Sequence, residues 1–282
     1  MFLLILYVLI ATLILITVAF FYVSSIAATP PKGRAGDLSK QLSLKSGQVI
    51  ACIGDSLTHG NIGECWVESL RNEYLGDTVL NEGINGDVVW QVNKRIEPII
   101  NCNPDIIILM IGTNDAMASF NKKSGKRYKL KNKLPETPTF ESYQKLLPKL
   151  LDKLNGTSKI ALCTLPPIGE NKDSAINQHV RKFNDFIELT AKNKNINLIP
   201  VSNLLWDELS KRTYLVKSDY DPDPLPIIRT IYGGMMHHYI FKISWDEIAK
   251  SKGQWLLFDQ IHLGERAAKI LFKATKKYIS SA

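Results

Sequence analysis

Three hydrophobic patterns follow one another along the chain. Phe2 to Val23 is almost wholly apolar; from Val49 onward, short β-branched runs alternate with stretches in which apolar residues recur every three or four positions; two late segments follow neither rule. The first run has 22 residues, and no charged side chain occurs between Met1 and Pro31. As a helix rising about 1.5 Å per residue it would reach roughly 33 Å, against about 30 Å of bilayer hydrocarbon. It predicts a transmembrane anchor over residues 1–24. The alternative is a cleaved signal peptide, because Ser25-Ile26-Ala27 has small-x-small spacing. Against it, the run exceeds an ordinary signal core and no basic segment precedes it. Lys32, Arg34, Lys40 and Lys45 follow the span and only the α-amine precedes it. That asymmetry places the rest of the chain on the cytoplasmic side, with a periplasmic or extracellular position left open. Residues 25–47, with Pro30, Pro31, Gly33 and Gly36, read as a polar tether to a folded unit over 48–282.

Within that unit the runs Val49–Ile53, Thr78–Asn81, Ile106–Ile111, Lys159–Thr164 and Ile196–Val201 predict strands. Glu64–Tyr74, Val88–Ile100, Phe140–Leu154, Ser174–Asn193 and Gly264–Ile279 predict helices. Strict alternation of the two predicts a three-layer α/β/α sandwich around a five-stranded parallel sheet. The irregular segments, 117–138 and 211–254, read as loop insertions. In the second, Ile231, Tyr232, Met235, Met236, Tyr239, Ile240 and Ile243 form one apolar stripe if Thr230–Ile243 is helical. Such a stripe is ordinarily core; the sharper reading is a lid or acyl-chain groove in which Met235, Met236 and Tyr239 touch substrate.

Composition changes this picture in one respect. The 282 residues carry 35 Lys and Arg against 27 Asp and Glu, a net +8, which by itself suggests an anionic partner. Asn121–Lys133 holds +7 of it, on Lys122, Lys123, Lys126, Arg127, Lys129, Lys131 and Lys133. With the charge so local, and no nucleic-acid module or long basic face, nucleic acid is not an expected partner. Anionic lipid headgroups suit such a segment, and a solvated flexible loop is the plainer reading. With 45% hydrophobic and 22% charged residues the chain is neither disordered nor a coiled coil. Cys52, Cys65, Cys102 and Cys163 are too few and scattered for a disulfide framework, and no Cys/His spacing suggests zinc.

Four short blocks carry candidate chemistry, each where a predicted strand or helix begins or ends. Gly54-Asp55-Ser56-Leu57 puts a serine at the carboxyl end of the first strand, where doubly wound sheets bind ligands. Gly86, after Asn81 and Gly83, would let a backbone N–H approach a substrate; Asp87 there reads also as a helix cap. Gly112-Thr113-Asn114-Asp115 ends the third strand with an amide able to face an oxyanion, or to cap a helix. In Asp259-Gln260-Ile261-His262, one helical turn would let the carboxylate orient the imidazole. Together they supply a nucleophile, oxyanion donors and an oriented base, the inventory for acyl transfer. His237-His238 lacks an acidic partner at ligand spacing, His59 sits near the serine, and His179 falls in a polar helical stretch.

The four blocks, in this order, resemble those of the SGNH (GDSL) hydrolase family of esterases and lipases, over about Val49 to Ile279. The resemblance implies a flavodoxin-like fold and an esterase with no metal or cofactor. It implies Ser56 as nucleophile, His262 as base and Asp259 as orienting carboxylate. The oxyanion hole would comprise the backbone N–H groups of Ser56 and Gly86 and the Asn114 amide. Asp55 and Asp115 would support turns. A tethered enzyme of this kind is expected to act on acyl esters such as lysophospholipids, in lipase, lysophospholipase or thioesterase fashion. A carbohydrate O-acetylesterase and a non-catalytic binding protein on the same fold are the alternatives.

Overall fold

The computed structural model describes residues 1–38, 47–156 and 158–282. Residues 39–46 of the expected tether, Lys40 and Lys45 among them, lie outside the described residues. The elements run α1 (Phe2–Ala28), α2 (Ala35–Leu38), β1 (Val49–Gly54), α3 (Ser56–His59), α4 (Trp66–Glu73), β2 (Thr78–Gly83), α5 (Val89–Arg95), α6 (Glu97–Ile100), β3 (Ile106–Met110) and α7 (Thr113–Ser119). They continue with α8 (Lys122–Lys131), α9 (Phe140–Leu154), β4 (Lys159–Cys163), α10 (Ala175–Asn193), β5 (Asn197–Ile199), α11 (Val201–Leu209), α12 (Pro224–Tyr239), α13 (Trp245–Ser251) and α14 (Glu265–Ser281).

The five strands form one all-parallel sheet in the order β2-β1-β3-β4-β5. Alternate strand residues feed two cores, as a period of two requires. Ala51, Ile53, Ile107, Leu109 and Leu162 face α5, α9 and α10. Ile50, Cys52, Ile106, Ile108 and Ala161 face α4, α11 and α14. The expected three-layer fold is therefore present. Its topology fixes where a ligand can sit: from β1 the chain winds outward to β2, then returns across β1 to β3, so the connections that follow β1 and β3 part to opposite faces of the sheet at their carboxyl ends. Register places Gly54 beside both Gly83 and Met110, so the loops bearing Ser56, Gly86 and Asn114 leave the sheet side by side.

The sequence reading differs from the structure at identifiable points. The expected Val88–Ile100 helix divides into α5 and α6 at Ile96, because Pro98 offers no N–H and its ring obstructs the preceding turn. Val201 opens α11 rather than ending β5. The two insertions are helical rather than loops, holding α8 in one and α12 and α13 in the other. α12 begins at Pro224, six residues before the stripe suggested, with proline in its first turn where a missing N–H costs nothing.

A third, smaller core joins the chain's N-terminus to the second insertion. Val23, Met235, Trp245, Ile248, Ala249 and Phe258 are buried together, with Phe20 against Tyr232 at 4.9 Å between ring centroids. α1 is long and apolar enough to cross a bilayer, and its side chains from Phe2 to Tyr22 are largely exposed. Beyond it the chain does not run free: Arg34 pairs with Glu82 at 3.0 Å, and the same carboxylate accepts the Ala35 N–H at 2.6 Å.

Candidate active site

Ser56 begins α3, a single helical turn at the end of β1. Asp55 caps it, accepting the Leu57 N–H at 3.0 Å, and so holds the turn that presents the serine. The turn packs tightly on β2, for a Cβ on Gly83 would come within 2.1 Å of the His59 backbone nitrogen. Opposite, Asp259 and His262 are brought together by an Asx turn and not by the helical turn their spacing suggested. Asp259 Oδ1 accepts the N–H groups of Ile261 and His262 at 3.0 and 2.7 Å, which turns the chain back on itself through Gln260 at φ 74°. Its other oxygen takes His262 Nδ1 at 2.6 Å, and His262 Nε2 lies 2.9 Å from Ser56 Oγ.

With Nδ1–H donated to the carboxylate, Nε2 is left as acceptor for the serine hydroxyl. Burial pushes the Asp259 carboxyl up, but the facing imidazole and the two N–H groups outweigh it and leave the group below its ordinary value. A carboxylate thus stands behind the imidazole, as orientation of a base requires. Ser56 is 6% and His262 4% exposed. Phe258 lies nearly parallel to the His262 ring, 6.2 Å between centroids, and shields it.

The residues expected to donate to an oxyanion lie on neighbouring loops at the strand ends. Gly86 has φ +85°, and a Cβ there would meet only the Asn132 side chain at 3.9 Å. Backbone conformation and not crowding therefore calls for glycine. Its carbonyl accepts from Asn132 Nδ2 at 3.0 Å, at the end of α8. Asn114, second residue of α7, donates its amide to the Asp87 carbonyl at 3.0 Å and to Asp55 Oδ2 at 3.2 Å, while its Oδ1 accepts from the Tyr128 hydroxyl at 2.8 Å. It caps no helix; the N-cap of α7 is Gly112. The Tyr128 bond fixes which way the amide faces.

Tyr128 and Arg95 are functional residues that the sequence reading missed. Tyr128 is the one aromatic side chain in the basic segment, and its spacing from Ser124, four residues earlier on the same helix face, marks it as inward-facing only once α8 is known to be a helix. Arg95 binds Asp87 at 2.7 Å and the carbonyls of Gly54 and Glu82 at 3.1 and 2.9 Å, tying together the ends of β1 and β2. Asp87 is thus a salt-bridge partner, and the N-cap of α5 is Val88 instead. Asp115 accepts the Val89 N–H at 3.0 Å. Burial pushes the carboxyls of both Asp55 and Asp115 up to about 7.

Met235, Met236 and Tyr239 are placed in the third core. Met235 is fully enclosed and has no surface to offer a ligand; Met236 packs against the same cluster, and Tyr239 donates its hydroxyl to the Asn61 carbonyl at 2.9 Å. Of the stripe, Met235 is buried beneath α1, Ile231, Tyr232, Met236, Tyr239 and Ile243 are half-buried, and Ile240 is exposed. The last turn of α1 is held in turn by Asn61, which donates to the Ile26 carbonyl at 2.7 Å, and by Asn85, which donates to that of Ala27 at 2.9 Å.

Of the basic residues, Lys122, Lys123, Lys126, Lys131 and Lys133 are exposed and Arg127 and Lys129 half-buried. The segment is an ordered helix tied to the second insertion, by Lys123 to Asp223 at 2.6 Å and Arg127 to the Pro222 carbonyl at 2.9 Å. His238 stacks on Trp245, His237 bonds the Gly233 carbonyl, and His179 bonds Ser119. His59 is buried beneath the end of α1, and burial lowers its pKa to about 4.

Residues 52–269 match the GDSL-like Lipase/Acylhydrolase family, well over half of the chain. The chain belongs to this family. In its fold it is similar to the acetylxylan esterase Axe2 of Geobacillus stearothermophilus. A catalytic mutant of that enzyme shares 18% identity over 83% of this chain and 94% of its own, with a TM-score of 0.59. The unmodified Axe2 shares 19% over the same proportions, with a TM-score of 0.57. LAE5, an alpha/beta hydrolase from the metagenome of Lake Arreo in Spain, shares 18% over 84% of this chain and 96% of its own, with a TM-score of 0.55. No curated protein sequence matches the chain. Membership in the GDSL-like family makes the protein a serine ester hydrolase.

Proposed function

We propose that the protein hydrolyses acyl esters at a membrane surface through an acyl-enzyme on Ser56. The observation that carries this reading is the unbroken chain of hydrogen bonds from Ser56 Oγ through His262 to Asp259. His262 Nε2 takes the serine proton as Oγ attacks the ester carbonyl. The tetrahedral oxyanion is received by the N–H groups of Ser56 and Gly86 and by the Asn114 amide, whose longer bond, to Asp55, is the one given up. His262 returns the proton to the departing alcohol, then activates water to release the acid. Each oxyanion donor is worth about 3–4 kcal/mol in the transition state.

α1 serves as an uncleaved single-pass anchor. Removal at Ala27 would strip Val23 from the third core and leave Asn61 and Asn85 without the carbonyls they hold. Lys32 and Arg34, following the span, favour a cytoplasmic domain. With the exposed lysines of α8 facing anionic headgroups, acyl chains reach the site from a high local concentration. The substrates favoured are single-chain or otherwise accessible acyl esters, lysophospholipids among them. A second reading, carbohydrate O-acetyl esters, is favoured by the similarity in fold to an acetylxylan esterase.

An ester panel separates the two, using full-length protein in detergent with p-nitrophenyl esters of graded acyl length, lysophosphatidylcholine and an acetylated xylo-oligosaccharide. Turnover rising with acyl length and present on the lysolipid supports the first reading. Turnover confined to acetyl groups on the sugar would replace it with the second.

A further inference from the structure

After Ala28, eight large apolar side chains are exposed among the described residues. Five of them, Leu215, Leu225, Ile228, Ile240 and Phe241, belong to the second insertion, and a sixth, Leu130, stands among the lysines of α8. A scattered distribution needs no explanation, whereas concentration of five in one insertion, which packs on α1 through α12, does.

Leu225 and Ile228 are the informative pair. On α12 the positions 225, 228, 232, 235, 236 and 239 follow helical spacing and form one apolar stripe. Its later half is covered by α1, with Phe20 on Tyr232 and Val23 beside Met235. Its earlier half is left largely open: Leu225 is 78% and Ile228 49% exposed. One continuous stripe is thus closed by the apolar helix at one end and left open at the other. The exposed surface of α1 is itself apolar from Phe2 to Tyr22, so whatever solvates that helix also adjoins the open end of the stripe. At the same end Arg229 follows Ile228, and of the carboxylates Asp219, Asp221 and Asp223 just ahead of α12, Asp223 is paired with Lys123 at 2.6 Å. Exposed apolar side chains that continue the stripe packed on an apolar, membrane-length helix are the pattern of a helix lying in the headgroup and acyl boundary.

We propose that α12 is an interfacial helix, with Leu225 and Ile228 seated in the leaflet that α1 crosses; the partner of this face is the lipid bilayer itself. The proposal rests on α1 being an uncleaved anchor. It has a consequence for the site, because Gly234 on α12 leaves room for the Phe258 ring, to which a Cβ there would come within 2.3 Å, and that ring lies over His262. The lipid-seated helix therefore packs on the residue that shields the catalytic histidine.

The test uses the full-length chain in phosphatidylcholine nanodiscs, with a fluorophore attached in turn to Leu225→Cys, Ile228→Cys, Leu13→Cys, Leu75→Cys and Leu189→Cys. The unsubstituted protein, whose cysteines are buried or half-buried, serves as blank. Hydrolysis of p-nitrophenyl acetate, which does not need the bilayer, verifies that each variant is folded. Lipids doxyl-labelled near the top of the acyl chain are expected to cut fluorescence by about twofold or more at 225, 228 and 13, and to leave 75 and 189 unchanged. Quenching at 13 without quenching at 225 and 228 overturns the interfacial helix while leaving the anchor intact. Loss of quenching at all three overturns both. Fluorescence at 225 and 228 that responds to protein concentration and not to doxyl lipid would assign the face to a second copy of the chain and overturn the proposal. None of these readouts depends on which ester is the substrate, so failure here is distinguishable from failure of the proposed activity.

Discussion

Asn85 donates its side-chain amide to the Ala27 carbonyl at 2.9 Å, so the residue beside the Gly86 donor holds the last turn of the apolar helix. From the other side Asn132, at the end of the basic helix, holds the Gly86 carbonyl. The turn bearing Gly86 is thus held from both sides, by the ends of α1 and α8. Asn85→Ala in the full-length protein is expected to lower kcat for a soluble ester about fivefold, the worth of one hydrogen bond, with KM little changed. A rise in KM at constant kcat would show that the clamp shapes binding and not the oxyanion hole.

Tyr128 acts one bond further back. Its hydroxyl is the partner that fixes the Asn114 amide, and Tyr128→Phe removes that bond with little change in volume. A loss of about five- to tenfold in kcat is expected, against about 10²–10³ for Asn114→Ala. Measuring both and their double variant decides the matter. If the amide acts through the tyrosine, the double variant loses no more than Asn114→Ala alone; additive losses would place Tyr128 outside the oxyanion hole.

His59 gives the pH dependence a sign. Its pKa is about 4 in the folded protein and about 6.5 in an unfolded chain, so the native state holds fewer protons between those values. The stability it contributes is full above about pH 6.5 and is lost as pH falls toward 4. Chemical denaturation of the wild type and His59→Gln across this range checks it. The difference between them is expected to shrink as pH falls. A constant difference would mean that His59 already carries its proton in the fold.

The sheet was legible in the sequence because its strands are buried on both faces and bounded by glycine, proline or polar residues; Ile106–Ile111 could hardly be read otherwise. The reacting groups were legible for a related reason. Ser56 and Asn114 follow strand ends, where topology puts ligands, and Asp259 and His262 are close enough in sequence for any turn to join them. What remained hidden was made by contacts between distant segments. The basic charges of 121–133 masked a helix whose one aromatic residue points inward to Asn114. The stripe on α12 was open to a groove reading until α1, more than two hundred residues earlier in the chain, proved to cover half of it. The Asp259–His262 pair was expected on a helical turn because three-residue spacing suits one, and the carboxylate's grip on two backbone N–H groups chose a tighter turn.

The most direct measurement is intact-mass and peptide mapping of the full-length protein after treatment with an alkyl fluorophosphonate, alongside steady-state ester hydrolysis. A single adduct on Ser56 is expected, absent in Ser56→Ala and strongly slowed in His262→Ala, with kcat reduced about 10⁴-fold or more in either variant. An adduct on another residue, or ester turnover that survives in Ser56→Ala, would contradict an acyl-enzyme formed on Ser56.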